Sequence, residues 1–276
     1  ILCTSVGTSI ATTLNSSLTG IFFVIEVLSF SLTARDLLPI TLAIIIGFLL
    51  KFFFPAILLD NYLFPPIKFS FYHTIPTIIF GVLLGLCCFI FIQILSNLVK
   101  FIYKVQWFPK WLWPFIGGIF LALISLKESE ALGQGILTLT DNLTILRPLS
   151  EISWLVVFKF CAILASLGLG FTGGLISQSI FMGLILGCIY SHFLVPFFPN
   201  IPLDYQAYAY MGLATFTGIV IGAPLSMVIF VFAQTQSTAL MLLSFVCVFT
   251  AHLVLKLCKT DSFFQEQYRF LYQEKE

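Results

Sequence analysis

Apolar residues run along this chain in long blocks. They cover Leu37 to Leu59, broken only by Lys51; Ile75 to Leu95; Ile152 to Phe171, with Lys159 inside; Leu175 to Phe198, with His192 inside; and Ala239 to Leu257. A helix crossing a bilayer core of about 30 Å needs about 20 apolar residues. Several blocks meet that length. The stretch from Trp111 to Leu126 falls short, which predicts a tilted, partial or re-entrant helix. The expected fold class is therefore all-α: a polytopic membrane protein with broken and tilted helices. The tail after Lys256 is polar but keeps Phe263, Phe264, Tyr268, Phe270 and Tyr272. That pattern predicts a helix lying against the protein.

Composition supports the membrane assignment. Of the 276 residues, 59% are hydrophobic and 9% charged, against about 25% charged in a soluble domain. So few charges cannot cover a water-facing surface. A net charge of +1 gives no reason to expect a nucleic-acid partner. The seven cysteines (Cys3, Cys87, Cys88, Cys161, Cys188, Cys247, Cys258) form no CxxC pair and read as small hydrophobes. The histidines make no HExxH pattern, so no metal or cofactor is expected. An intramembrane enzyme is disfavoured too, because no Ser/His or Asp pair sits at matched depths. Lysines crowd two places: Lys100, Lys104 and Lys110, then Lys256, Lys259 and Lys275 with Arg269. Positive loops tend to face the cytoplasm, so both are expected there, the C-terminus included. The loop from Asp60 to His73 is expected on the opposite side. The chain opens on Ile1 with no basic n-region, and Val6 to Leu14 reads as a packed helix. A signal peptide is therefore not expected, and the chain reads as the later part of a longer protein.

An internal repeat is the most informative feature. Asn15-Ser16-Ser17-Leu18-Thr19-Gly20 through Glu26 can be laid on Gly222-Ala223-Pro224-Leu225-Ser226-Met227 through Ala233. Both read as a small-residue break, a leucine, a hydroxyl and an apolar helix, each after a Gly/Ala/Thr-rich helix. Such repeats mark transporter folds in which broken helices meet near the bilayer midplane; chance likeness between two apolar segments is the competing reading. A third segment, Leu167 to Ser177, clusters glycines between two apolar helices. A helix restarting after Gly173-Gly174 would offer the free amides of Gly174, Leu175 and Ile176, and its positive dipole end, to an anion. Equally, these glycines could serve only close helix packing. Glu26 admits two placements, in the interface at a helix end or beside an inner vestibule. Lys159 is expected to snorkel or pair, and Thr19 and Ser226 to bond back to their own helices.

These segments, in this order, resemble the CLC family of chloride channels and anion/proton antiporters, from about Ile10 to Tyr268. Asn15 to Gly20 with Phe23-Val24-Ile25-Glu26 looks like the family's asparagine-x-proline-leucine-x-glycine break and its helix ending in glutamate. Gly173-Gly174-Leu175-Ile176 is similar to its anion-binding loop, Gly222-Ala223-Pro224-Leu225 to its last broken helix pair, and Leu132-Gly133-Gln134-Gly135 to a glycine-rich half-helix. The resemblance implies two inverted halves per subunit: residues 1–58 as the end of the first, 59–276 as the second with a short C-terminal cytoplasmic helix. It also implies a homodimer with one pore per subunit, the helices around Phe22 to Phe30 and Val228 to Phe232 being candidates for the interface. The implied anion site is Gly174, Leu175, Ile176 and Phe264, the proton path Glu26 and Val27, and the helix breaks Asn15, Ser16, Gly222 and Pro224. Departures stand out. Ile176 replaces the loop phenylalanine, Gln178 its proline, Phe264 the chloride-coordinating tyrosine, and Val27 the proton-transfer glutamate. Glu26 lies about 100° round the helix from Val27 and is expected on another face. The expected function is channel-like passage of chloride or a similar anion. A coupled antiporter of the same family, another inverted-repeat transporter and an inactive scaffold are the alternatives.

Overall fold

The computed structural model describes residues 2–28, 34–50, 53, 73–105, 107–132, 148–171, 173–197 and 205–273. Among them are eleven α-helices: α1 (Leu2–Thr13), α2 (Ser17–Leu28), α3 (Ala34–Leu50), α4 (Thr74–Lys104), α5 (Leu112–Lys127), α6 (Leu149–Ile163), α7 (Leu175–Phe197), α8 (Tyr205–Ile221), α9 (Pro224–Thr235), α10 (Thr238–Leu257) and α11 (Phe263–Gln273). No strand occurs among the described residues. The glycines of Gly133-Gln134-Gly135, and the Asp60 loop up to His73, lie outside them.

Four helical segments are long and apolar enough to cross a bilayer: Thr74–Lys104, Leu149–Gly168, Leu175–Leu194 and Thr238–Leu257. The 31 residues of α4 rise about 46 Å, beyond an apolar core of about 30 Å. α4 must therefore tilt or leave the apolar layer at one end. At 12 residues each, α2 and α9 reach only about 18 Å and cannot cross. Ile79, Leu83, Leu86 and Ile90 of α4, and Phe245, Phe249 and Leu253 of α10, are exposed. Such faces suit lipid as the surrounding solvent.

The centre is α8, buried on every side from Ala207 to Ile221, with α7, α9, α10 and α4 packed round it. Glycines set the α7–α8 spacing. A Cβ placed on Gly187 would lie 2.1 Å from the Tyr208 carbonyl oxygen, and one on Gly183 would lie 2.4 Å from that of Gly212. These are the close-packing glycines. Gly173 and Gly174, for which packing was an open alternative, have room: their added Cβ atoms would meet nothing nearer than 3.3 Å and 3.5 Å.

The sequence repeat is a structural one. α2 and α9 have equal length and start one residue after matched positions. Asn15 (φ 52°) and Gly222 (φ 89°) both turn the chain through the left-handed region, which asparagine and glycine tolerate best. Ser16 N donates to Ala11 O at 3.0 Å, and its counterpart Ala223 N to Gly218 O at 2.9 Å. Gly20 N donates to Ser16 O, and its counterpart Met227 N to Ala223 O.

Two expectations need correction. Lys159 does not snorkel: at 1% exposure its Nζ donates to Ala131 O at 3.1 Å and lies 4.6 Å from the Phe181 ring centroid. Ser226 donates to Glu26 rather than back to its own helix, whereas Thr19 donates through its hydroxyl to Ser16 Oγ, at the cap of its own helix, at 2.8 Å as expected. On the suggested interface helices, Phe23, Val24, Val228, Phe230 and Val231 are buried within the chain. What those two helices leave bare is chiefly Leu18, Ile25 and Leu225.

The aromatic tail does form a helix against the protein. α11 docks on the last turns of α4: Lys100 pairs with Glu266 at 3.3 Å, Gln93 Nε2 donates to Thr260 Oγ1 at 3.3 Å, and the Tyr103 and Phe270 rings meet edge-on at 5.6 Å.

Candidate functional site

Where α2, the start of α7, the α8–α9 break and α11 converge, they border an open cavity of about 930 Å³. Its walls bring together Glu26 and Val27 of α2, Ile176 of α7, Gly222 of the break and Phe264 of α11. Five residues proposed from separate stretches of sequence thus share one space. Gly174 and Leu175 immediately precede Ile176 at the α7 start; Leu175 is buried and Gly174 exposed. Pro224 opens α9 beside Gly222. Asn15 and Ser16 form the other break and do not line the cavity.

Each wall has a local cause. The apolar run of α6 widens into a π turn over Leu164–Gly168 and stops, and helix resumes only at Leu175. The first amides of α7 therefore have no intrahelical acceptor, and the positive end of its dipole lies at the cavity wall. Gln178 Oε1 and Ser179 Oγ, in the first turns of α7, are buried without a hydrogen-bond partner. Most of the remaining lining is apolar, including Val6, Phe23, Leu28 and Ile221. At one side stand Lys256, Asp261 and Arg269.

Both carboxylates of the cavity are engaged. Glu26 accepts from the backbone amides of Leu225 and Ser226, each at 2.8 Å, and from the Ser226 hydroxyl. It caps the N-terminus of α9, whose own cap position, Ala223, offers no side-chain acceptor. Neither sequence placement of Glu26 included this role. Glu26 and Val27 both border the cavity, the Glu26 carboxylate being held on the α9 amides. Asp261 accepts from Lys256 Nζ at 3.0 Å and from Arg269. These bonds, that of Lys256 foremost, hold its carboxyl below the usual carboxylate value.

Sequence reasoning missed Lys256, Asp261, Ser262, Tyr268 and Arg269. Tyr268 lies one turn beyond Phe264 on the same face of α11 and lines the same cavity. The aromatic spacing of the tail was the available signal. The charged trio carries no local pattern that points to residues more than two hundred positions earlier.

Comparison with known proteins agrees with this architecture. The family model described as voltage gated chloride channel matches residues 1–256. Voltage-gated ClC-type chloride channel ClcB of Shigella flexneri is 28% identical over 186 residues, 66% of this chain and 44% of that protein. ClcB of Escherichia coli (strain K12 / DH10B) matches to the same extent. Among solved structures, a slow cyanobacterial Cl−/H+ antiporter superposes with a TM-score of 0.86 at 16% identity, covering 100% of this chain and 65% of the other. A CLC-type fluoride/proton antiporter gives 0.76 at 18%, covering 95% and 63%. The chain thus spans under half the length of these curated relatives and about two thirds of the two antiporters. With a broken-helix cavity of this kind and a family match over nearly its whole length, the chain belongs to the voltage-gated chloride channel family, the CLC family.

Proposed function

We propose that this chain forms the wall of a pathway for chloride or a similar small anion, and that the passage is channel-like rather than tightly coupled to protons. One observation carries the reading: the α7 start opens on a cavity lined by Val27 whose two carboxylates are both already hydrogen-bonded. Unpaired helix-start amides attract an anion without a cationic side chain that would hold it too tightly to release. In this reading the anion is met by the amides of Gly174, Leu175 and Ile176, and Phe264 packs beside it without a hydroxyl to donate. Proton transfer needs a titratable group or a water chain, and valine supplies no such group at the position where the antiporters resembled here carry a glutamate.

The second reading is a proton-coupled antiporter. The names of the cyanobacterial and fluoride/proton structures favour it for those proteins. One experiment separates the two. The full-length protein is reconstituted in liposomes, a chloride gradient is imposed and external pH is followed. Chloride flux without proton movement, with coupling partly gained in Val27→Glu, supports the channel-like reading. Stoichiometric uphill proton movement by the unaltered protein refutes it, and absence of any anion flux indicates an inactive scaffold. We further read the protein as a homodimer, with the C-terminus cytoplasmic. Cysteine pairs at Leu18, Ile25 and Leu225 should cross-link it.

A further inference from the structure

The two breaks of the repeat differ in one respect. At the first, Ser16 caps its own helix: its Oγ accepts from Thr19 N at 3.2 Å and from the Thr19 hydroxyl. At the second, alanine stands at the matched position, Ala223, and no side chain of that repeat caps α9. The first-turn amides of α9 are met instead from the other repeat, by both oxygens of Glu26. The reverse also holds. Gln234, near the end of α9 and 4% exposed, donates through Nε2 to Leu14 O at 2.8 Å, at the first break. The end of each short helix therefore reaches the start of the other, which fixes α2 and α9 antiparallel. In the repeat alignment Glu26 matches Ala233 and Val27 matches Gln234, so each helix supplies one polar residue from its last turn, at neighbouring registers.

We propose that Glu26 and Gln234 form a reciprocal clasp between the repeats, and that Glu26 serves anion passage as a positioning residue, the tethered anion of the α9 amides, rather than as a proton carrier. This deepens the anion-pathway reading and rests on it. The clasp bears on the cavity through contacts already in place. Leu225 and Ser226, which Glu26 holds, stand in the first turn of α9, three and four residues after Gly222, itself a wall of the cavity. Gly222 abuts the residue that precedes α11 so closely that an added Cβ would lie 2.7 Å from Ser262 Oγ. The Ser262 carbonyl accepts from Glu266 N at 2.9 Å in the first turn of α11, and that turn carries Phe264. Loosening the α9 start therefore displaces the Gly222 wall and the α11 wall together, while leaving Val27 and Ile176 chemically unchanged.

The test uses the full-length protein in liposomes with Glu26→Gln, Glu26→Ala and Gln234→Leu, following chloride and proton movement. Hydrogen bonds of the clasp should be worth about tenfold or more in flux. Glu26→Ala and Gln234→Leu should both slow chloride to that extent, although Gln234 has no titratable group. Formate, a free carboxylate that fits the uncovered α9 amides, should restore part of the Glu26→Ala rate. In Glu26→Gln the ratio of protons to chloride should stay as in the unaltered protein. Unaltered chloride flux in Gln234→Leu overturns the reciprocal clasp, and selective loss of proton movement in Glu26→Gln overturns the positioning role in favour of a proton carrier. If the unaltered protein moves no anion, the transport reading has failed instead. The Glu26 tie is then judged by thermal unfolding of Glu26→Ala, Ser226→Ala and the double variant: a shared bond makes the losses non-additive, and additive losses overturn the tie.

Discussion

Gly187→Ala adds a single methyl group, and the structure says where it must go. The new Cβ would lie 2.1 Å from Tyr208 O, 2.6 Å from the Tyr208 carbonyl carbon and 2.7 Å from Ala209 Cα. An ordinary carbon–oxygen contact is about 3.3 Å, so α7 and α8 must part by about 1 Å. The obstacle is backbone, which cannot rotate aside like a side chain. A gap of about 1 Å forfeits about half the dispersion attraction of each contact across the seam, where Phe181, Leu184 and Cys188 of α7 and Met211 and Ala214 of α8 are buried. Overpacking of this kind costs about 3 kcal/mol at the upper end of the usual range. Replacing a mid-helix glycine by alanine returns about 1 kcal/mol. The net expectation is a loss of about 2 kcal/mol. Gly174→Ala is the control, because its Cβ would meet nothing closer than Ser177 Oγ at 3.5 Å; its stability should stay within about 0.5 kcal/mol. Denaturant unfolding of the detergent-solubilised protein measures both. Gly187→Ala unfolding like the unaltered protein, or Gly174→Ala losing more, would refute the reasoning that glycine spacing holds α7 against α8.

Three further outcomes are expected. Crystals soaked in bromide should show an anomalous peak within about 3.5 Å of the Leu175 or Ile176 nitrogen, and a peak elsewhere in the cavity alone would remove the amides from the site. Gly222→Ala should destabilise by about 2 kcal/mol, since φ is 89° and the new Cβ would press on Ser262 Oγ; an unchanged melting temperature would contradict this. Asp261 has its folded pKa depressed by Lys256 and Arg269, so its contribution is full above the unfolded value of about 3.9 and is lost as pH falls through the lower folded value. Asp261→Asn should flatten the acid limb of a melting-versus-pH curve, and high salt should weaken the same effect. An acid limb that keeps its slope in the variant would show that the pair contributes nothing there.

The helical membrane class was legible in the sequence, because a bilayer imposes its demand locally. Each spanning segment must satisfy its own backbone and be apolar over a fixed length, and Ile75 to Leu95 or Ala239 to Leu257 shows this with no knowledge of neighbours. The helix breaks were legible for a similar reason: Asn15 and Gly222 are the residue types that turn the chain through positive φ, and Gly173-Gly174 interrupts an apolar run. Tertiary structure alone decided which of those residues meet. Only the folded chain brings Ile176, Val27, Gly222 and Phe264 round one cavity. Only there does Glu26, an unpartnered carboxylate in sequence, find the amides of Leu225 and Ser226, and Gln234 the carbonyl of Leu14. Which glycines pack against a neighbour and which have room was decided in the same way. Gly187 and Gly174 are the same residue in sequence, but one faces the backbone of α8 and the other open space. Hydropathy and backbone preference act within a turn or two of each residue. Hydrogen bonding and steric contact act between segments two hundred positions apart, and no local pattern records them.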